Sequence, residues 1–173
     1  AKCMKYISCR DYVRLIKSSK LYSFALRHGC NILFNALEMQ KKCEEMFQGN
    51  EDKLFTAYNI IDCEKAREDA KEELDGEYKE FYDTHRVIAF SSRFVEQKCQ
   101  WDMLKSFELL KKDIPDAGLI FLGCRGEYEN AVREMAKKSE YSNDIVFAGF
   151  QKNVFKFVSR ADVFAMTSYY EGF

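Results

Sequence analysis

The sequence is poor in several residues that define common sites and folds. It has two histidines, His28 and His85, and neither belongs to a pattern of zinc-ligand spacing, so a zinc site is not expected. No apolar run approaches the roughly 20 residues that a membrane-spanning helix needs. One proline and eight glycines leave no low-complexity linker, and no internal repeat is visible. These absences favour ordinary globular structure.

Cysteine is more frequent, but its pattern excludes its usual structural roles. The seven cysteines are odd in number and include no Cys-x-x-Cys pair. A disulfide framework is therefore not expected, and the pattern indicates reduced, mostly packed thiols in a cytoplasmic protein. The positions are Cys3, Cys9, Cys30, Cys43, Cys63, Cys99 and Cys124.

Charge is balanced overall and uneven locally. The net charge of −1 gives no global field that would attract nucleic acid, so no nucleic-acid partner is expected. Residues 1–42 nevertheless carry nine Lys or Arg against Asp11 and Glu38, whereas residues 64–83 carry nine Asp or Glu against four basic residues. The basic segment is either a solvated helix face or a surface that touches anionic lipid. Both interpretations stay open at this point.

The second half of the chain alternates short apolar runs with amphipathic stretches. Strands are predicted at 87–90, 119–122, 145–147 and 163–166. Helices are predicted at about 101–112 and 153–159, with a further helix between them that has Tyr128, Val132 and Met135 on one face. Strands that are apolar throughout and separated by helices indicate a parallel sheet covered on both faces. The loops that follow such strands should all converge on one edge of the sheet.

The first half of the chain gives a weaker pattern. Helical stretches are predicted near 12–26 and 37–47, and strands at 31–34 and 53–56. The charged run from about 63 to 80 is predicted to be a solvated helix, because several Glu and Lys residues fall near i, i+4 spacing.

Four motifs of the second half occur in a recognisable order. They are residues 90–99 (FSSRFVEQKC), 121–126 (FLGCRG), 146–150 (VFAGF) and 167–173 (TSYYEGF), preceded by 58–62 (YNIID). Their order resembles that in the C-terminal domain of retaining, nucleotide-sugar-dependent glycosyltransferases of the GT-B fold, family 4. Ser92 and Cys99 stand where that family usually has glycine, and Tyr58 and Ile60 stand where it usually has proline and glycine.

The resemblance implies a fold and a division into domains. It implies an α/β fold in which a Rossmann-like parallel sheet carries helices on both faces. Residues 1–84 would be the end of the N-terminal acceptor domain with its linker, and residues 85–173 the first part of the nucleotide-sugar domain. A chain with these bounds would lack part of both domains and is expected to be inactive alone.

The resemblance also implies roles for particular residues. Arg93 and Lys98 would bind the diphosphate; a guanidinium can grip phosphate oxygens through two hydrogen bonds, and an ammonium adds a mobile charge. Glu171 would accept hydrogen bonds from the hydroxyls of the donor sugar. The nucleotide sugar would also lie against the backbone of residues in the glycine-containing loops, namely Gly123, Gly149, Phe150, Gly172 and Phe173.

The function implied is transfer of a sugar from a nucleoside-diphosphate sugar, with UDP or GDP expected, to an acceptor hydroxyl with retention of configuration. No metal or other cofactor is implied. The acceptor would be a saccharide or a lipid-linked glycan of polysaccharide or glycoconjugate synthesis, at the cytoplasmic face of a membrane. Two alternatives remain: a sugar-nucleotide epimerase, and a non-catalytic nucleotide-binding module. A nicotinamide enzyme is disfavoured, because no strand leads into Gly-x-Gly-x-x-Gly.

Overall fold

A computed structural model describes residues 5–10 and 12–171. The chain divides into two compact units. The first contains the described residues up to Ile61 together with Glu171, and the second runs from Asp62 to Tyr170. The predicted division into residues 1–84 and 85–173 is not tested by these units, and it stays a prediction.

The first unit is a parallel three-stranded sheet with helices between its strands. Its elements are β1 (Lys5–Cys9), α1 (Tyr12–Lys17), α2 (Ser19–Arg27), β2 (Cys30–Phe34), α3 (Leu37–Glu44), a 3-10 turn (Glu51–Lys53) and β3 (Leu54–Thr56). The strand order is β1-β2-β3, so β2 is central. Ile32 and Phe34 of β2 are buried against Leu15, Leu26 and Met39 of the helices.

Two features of this unit differ from the sequence-based expectation. Strand β1 was not predicted, because Lys5-Tyr6-Ile7-Ser8 interrupts its apolar residues with polar ones, and most of this edge strand is exposed. The long helix expected near 12–26 is two helices, since the chain turns at Ser18 between them. The other predicted strands and helices of the unit form at or within a few residues of the expected positions.

The second unit is a larger sheet of the same kind. Its elements are α4 (Cys63–Asp69), α5 (Gly76–Thr84), β4 (Arg86–Ser91), a 3-10 turn (Glu96–Lys98), α6 (Gln100–Leu110), β5 (Ala117–Leu122), α7 (Glu129–Lys138), a second 3-10 turn (Ser142–Asp144), β6 (Ile145–Gly149), α8 (Phe155–Val158) and β7 (Val163–Phe164). The order is β6-β5-β4-β7, and every pairing is parallel.

Helices cover both faces of this sheet, as expected from its apolar strands. Alternate residues of β4 and β5 point to opposite faces. Ile88 and Phe121 belong to the core under α6 and α7. Val87 and Ile120 belong to the core on the other side, where Phe81 of α5 lies. The predicted α/β fold, with a parallel sheet and helices on both faces, is therefore confirmed.

The last strand corrects one expectation. An apolar, buried strand was predicted at 163–166, but β7 contains Val163 and Phe164 alone, and both side chains are about half exposed. Strand β7 lies at the edge of the sheet and pairs only with β4 among the described residues. Apolar composition alone does not reveal whether a strand has neighbours on both sides.

The charged run at 63–80 forms two short helices rather than one. Between them, residues 70–75 lie against α8, where Lys156 Nζ is 2.8 Å from a Glu72 carboxylate oxygen. The Asn153 side chain donates to the Asp69 carbonyl oxygen at 2.6 Å, and Arg160 donates to the Ala70 carbonyl oxygen at 2.9 Å. The acidic run is thus partly a structural segment of the second unit.

A buried cation lies near the amino ends of β5 and β6. Lys111 is almost fully buried, and its Nζ donates to the carbonyl oxygens of Pro115 and Ala117. It also forms an ion pair with Asp144 at 2.7 Å. The second oxygen of that carboxylate lies 3.1 Å from His85 Nε2. This network fixes the chain on either side of β5.

Residues 5–10 and 12–171 include no helix that is both long enough and apolar enough to cross a membrane.

Candidate functional site

The carboxyl ends of β4, β5 and β6 open into one pocket of about 250 Å³. Parallel strands direct their following loops to the same edge of the sheet, so residues far apart in sequence meet there. The lining residues follow the three strands in turn: Ser91, Ser92 and Arg93; Leu122, Gly123 and Cys124; and Phe150, Gln151 and Val154. Three of the predicted site residues, Arg93, Gly123 and Phe150, therefore line the same pocket.

Arg93 has an exposed side chain on a backbone that is held by hydrogen bonds. Its side chain is exposed at the pocket. Its carbonyl oxygen accepts hydrogen bonds from the Ser92 hydroxyl at 3.0 Å and from the Gln100 amide at 2.7 Å. The pocket thus has a guanidinium at its rim, which is the group best suited to bind phosphate oxygens in two places.

Gly123 is required by close contact between two loops. It adopts φ of +124°, and a Cβ at this position would collide with the carbonyl oxygen of Ser92. Its N–H donates to the Gly149 carbonyl oxygen at 2.7 Å, which links the loops after β5 and β6. Gly126 is held in the same way against the Phe94 carbonyl. The expected close approach of backbone is therefore present here, between two protein loops.

Phe150 lines the third side of the pocket, whereas Gly149, which precedes it, is not among the lining residues. Gly149 ends β6 with φ of +68°, just beyond a register shift against β5. Phe150 follows with 74% of its surface exposed, so its ring is available to a ligand. The Asn153 side chain accepts hydrogen bonds from the N–H groups of Phe155 and Lys156 at the start of α8. A capped helix and an exposed ring coexist in this loop.

Lys98 lies outside the residues that line the pocket. It ends the 3-10 turn Glu96–Lys98, and its side chain is partly buried. Cys99 follows it in the left-handed conformation, with φ of +51°, at the position where the resembling family has glycine. The Cys99 thiol is buried and donates to the carbonyl oxygens of Glu96 and Gln97. These contacts support a conformation that a non-glycine residue adopts at some strain.

The loop after β7 is hydrogen-bonded to the turn that carries Lys98. The Thr167 hydroxyl lies 3.0 Å from the Lys98 carbonyl oxygen, and the Tyr169 N–H donates to the Gln97 carbonyl oxygen at 2.9 Å. The Gln97 side chain donates in return to the Tyr170 carbonyl oxygen at 2.6 Å. The hydrogen bond with the Cys99 thiol raises the pKa of the Tyr169 phenol above its usual value.

The last motif contains three further predicted site residues, Glu171, Gly172 and Phe173. Glu171 is exposed and belongs to the first compact unit, so the structure does not group it with Arg93 and Lys98. Gly172 and Phe173 lie outside the described residues. A role of these three in binding the donor stays a prediction.

Sequence reasoning missed two residues that hold the site. The sequence pattern predicts only that Gln100 precedes an amphipathic helix and that Thr167 begins a turn. Neither residue belongs to a motif with a recognisable spacing, because each donates to a backbone carbonyl group outside its own helix or turn.

Among residues 5–10 and 12–171, no three His, Cys, Asp or Glu side chains gather into a group that could hold a metal ion.

Solved structures with the same arrangement define the class of the fold. The fold is that of GT-B glycosyltransferases, with a TM-score of 0.75 to TarM, at 16% identity over 98% of this chain and 33% of that one. The Anabaena protein Alr3699/HepE, crystallised with UDP and glucose, gives a TM-score of 0.73 at 16% identity, over 94% of this chain and 46% of its own.

Sequence comparison gives the family. The family described as "Glycosyl transferases group 1" matches residues 71–173, and the chain belongs to it. An uncharacterised glycosyltransferase of Methanocaldococcus jannaschii is 29% identical over 87% of this chain. A GDP-mannose-dependent monoacylated alpha-(1-6)-phosphatidylinositol monomannoside mannosyltransferase of Corynebacterium glutamicum is 34% identical over 50% of it. The chain spans 37% and 22% of the lengths of these two relatives.

Proposed function

We propose that this chain carries the donor-binding site of a retaining, family 4 glycosyltransferase that uses a nucleoside-diphosphate sugar. The observation that carries the proposal is the pocket in which Arg93, Gly123 and Phe150 meet at the carboxyl edge of a parallel sheet. Such an edge is where open α/β sheets bind ligands. Membership of the family supports sugar transfer and does not favour the epimerase or the non-catalytic module.

The proposed chemistry needs positive charge where the donor breaks. The bond between the anomeric carbon and the diphosphate oxygen breaks, and its electron pair leaves with the diphosphate. The acceptor oxygen forms the new bond on the face that the diphosphate leaves, and its proton passes to the released diphosphate. Arg93 and Lys98 would stabilise the charge that develops on this leaving group. Glu171 would hold the sugar hydroxyls, and the backbone from Gly172 and Phe173 would lie near the phosphates.

The nucleotide is proposed to be UDP or GDP, with its base beside Gly149 and Phe150. HepE was crystallised with UDP, and the corynebacterial relative is named as GDP-mannose-dependent, so both nucleotides occur among similar proteins. Transfer of a hexose would fit these relatives. We propose that residues 1–84 belong to the acceptor domain with its linker and residues 85–173 to the donor domain. We also propose that the chain alone does not complete a transfer.

The first unit offers a surface for the proposed contact with a membrane or a lipid-linked acceptor. On α2, Leu21 and Phe24 are 61% and 57% exposed. Exposed Lys20 and Arg27 of the same helix lie on the same side at helical spacing. Exposed apolar residues flanked by basic ones are typical of surfaces that bind anionic lipid. This favours the lipid-contact interpretation of the basic segment, with glycoconjugate synthesis at the cytoplasmic face of a membrane.

Titration calorimetry with UDP, GDP, ADP and NAD tests the proposed donor site. We expect one nucleoside diphosphate to bind, and Arg93→Ala to weaken that binding at least about tenfold, because a charge-assisted hydrogen bond to phosphate is lost. Arg86→Ala is the matched control: Arg86 is an exposed arginine at the opposite end of the same strand, paired with Asp116. Binding of NAD instead, or equal effects of the two substitutions, would contradict the proposal.

Vesicle sedimentation tests the proposed lipid contact separately. The chain should sediment with vesicles of phosphatidylglycerol and not with vesicles of phosphatidylcholine. The double substitution Leu21→Ser with Phe24→Ser should abolish this, whereas Leu109→Ser, at an equally exposed leucine of the second unit, should not. Sedimentation that survives the double substitution would remove the role of α2.

A further inference from the structure

We propose that Gln100 is a positioning residue that sets the direction of Arg93 toward the bound diphosphate. The inference rests on the proposed function, because it concerns the same pocket. Gln100 opens α6, and its side chain is fully buried. It reaches back under the loop after β4, where it contacts the two residues that place the guanidinium.

Three polar groups close a triangle beneath this loop. The Gln100 amide nitrogen lies 2.7 Å from the Arg93 carbonyl oxygen and 2.8 Å from the Ser92 hydroxyl oxygen. The Ser92 hydroxyl lies 3.0 Å from the same Arg93 carbonyl oxygen. The two amide hydrogens and the single hydroxyl hydrogen supply one donor for each of these three contacts. Because a carbonyl oxygen cannot donate, the nitrogen of the amide must face Arg93.

This triangle of hydrogen bonds depends on Ser92, because a glycine at position 92 would have no hydroxyl group. Position 92 is serine here, where the resembling family usually has glycine, and the added hydroxyl is the part of Ser92 that contacts Gln100. Ser92 also lies against Gly123, whose missing Cβ leaves space for the Ser92 carbonyl oxygen. The residue pair 92 and 100 therefore connects the loop that carries Arg93 to the first turn of α6.

The burial of this amide is unfavourable unless it has a positioning role. The Gln100 side-chain oxygen is buried and has no hydrogen-bond partner among the described residues. A buried acceptor without a partner destabilises the folded state, and an apolar side chain of the same length would avoid that penalty. Stability alone would therefore favour methionine or leucine at this position. What the amide adds is a further hydrogen bond to the Arg93 carbonyl group, beside those from the Ser92 hydroxyl and the Val95 N–H.

A fixed carbonyl group matters because the guanidinium itself is exposed. Backbone hydrogen bonds of Ser92 and Phe94 already restrain this loop. Any remaining rotation of the peptide groups around Arg93 would spread the guanidinium over a wider arc, and binding would have to remove that freedom. The carbonyl group accepts hydrogen bonds from the Ser92 hydroxyl, the Gln100 amide and the Val95 N–H, so mainly the side-chain torsions remain to be ordered. We thus expect Gln100 to raise affinity for diphosphate through Arg93, without touching the ligand.

A double-mutant cycle with UDP and GDP as the probes tests this. Gln100→Met should weaken binding of the preferred nucleotide about three- to tenfold, the effect of losing one or two neutral hydrogen bonds. In an Arg93→Ala background the same change should have no further effect, since coupled residues are not additive. The urea midpoint of the Gln100→Met variant should equal or exceed that of the parent chain. Gln40→Met is the control, at a glutamine that contacts Glu44 and Thr56 in the first unit.

Each outcome decides the question. Failure of the parent chain to bind any nucleotide would overturn the proposed function, and this inference with it. If the parent binds, unchanged affinity in Gln100→Met overturns the inference alone, and so does a loss that persists at full size without Arg93. Gln100→Leu is a second variant that also lacks the amide. Unfolding or strong destabilisation of both Gln100→Met and Gln100→Leu would show that the amide is needed for stability rather than for positioning Arg93, and this would overturn the inference.

Discussion

The hydroxyl group of Thr167 lies 3.0 Å from the carbonyl oxygen of Lys98, so a residue that follows the edge strand β7 is bonded to the turn that follows β4. The same hydroxyl lies 2.9 Å from the Cys99 carbonyl oxygen. Strands β4 and β7 are neighbours in the sheet, and their following loops are thereby joined as well. The Thr167 hydroxyl therefore connects the turn that carries Lys98, the proposed diphosphate-binding lysine, to the segment that leads to Glu171.

Thr167→Val should loosen this support. Loss of the hydroxyl is expected to lower the free energy of unfolding by about 1 kcal/mol, because it removes the hydrogen bond that joins the two loops. The N–H of Tyr169, which donates to Gln97, should exchange with deuterium faster. Urea titration and hydrogen exchange measure the two effects. Thr167→Ser keeps the hydroxyl and should behave as the parent; identical exchange in all three chains would disprove the link.

Gly123→Ala should strongly destabilise the second unit. The new Cβ would require φ of +124° from an alanine and would collide with the Ser92 carbonyl oxygen. We expect a loss of about 2 to 4 kcal/mol in the free energy of unfolding, typical of a forbidden backbone conformation joined to a clash. Gly76→Ala is the control, since Gly76 opens α5 with no atom near the added methyl group. Similar urea midpoints for the two variants would refute the close approach.

Asp144→Asn should reveal how much the buried Lys111 depends on its partner. Partial burial opposes ionisation of Asp144, but hydrogen bonds from Lys111 and His85 outweigh it, and the pKa lies below its usual value. Removing the carboxylate leaves Lys111 with carbonyl acceptors only, and we expect a loss of about 1 to 3 kcal/mol. Asp83→Asn, in an exposed pair with Lys79 at 3.9 Å, should change stability little.

The loss caused by Asp144→Asn should depend on pH in one direction. In the unfolded chain the pKa of Asp144 is about 4, and in the folded chain it is lower. The carboxylate therefore contributes its full stability above about pH 4, and the contribution fades as the pH falls through the folded value. Urea titrations from pH 7 down to pH 3 should show the parent and the variant converging. A constant difference across this range would contradict the assigned ion pair.

The cysteines should react with a thiol reagent in an order set by burial. Burial, with a smaller contribution from Cys9, raises the pKa of Cys43 to about 12, so its thiol stays protonated and shielded at pH 8. Cys63 is exposed at the start of α4 and should react within the mixing time. Mass spectrometry after brief labelling of the native chain separates the two. Cys63→Ser should remove the fast labelling of the peptide that contains residue 63, and early labelling of Cys43 would argue against its burial.

Much of the fold follows from the sequence because local patterns set it. The runs at 87–90 and 119–122 are apolar throughout, and they form the two central strands β4 and β5. The same reasoning overestimated the burial of Val163 and Phe164, because an edge strand and a central strand can have the same composition. Strand β1 was missed for the opposite reason, since its exposed edge position allows polar residues that hide the pattern.

The sequence by itself determined the alternation of strands and helices, the parallel sheet, the family and the candidate residues Arg93 and Lys98, because periodicity and motif order are local properties of the chain. Only the tertiary structure decided that Arg93, Gly123 and Phe150 line one pocket, that Lys98 lies on a turn bonded to Thr167, and that Gln100 supports the Arg93 carbonyl group. The physical reason is that these contacts join side chains to backbone carbonyl groups. Every residue except proline has the same backbone groups, so no sequence pattern marks which of them a distant side chain will find.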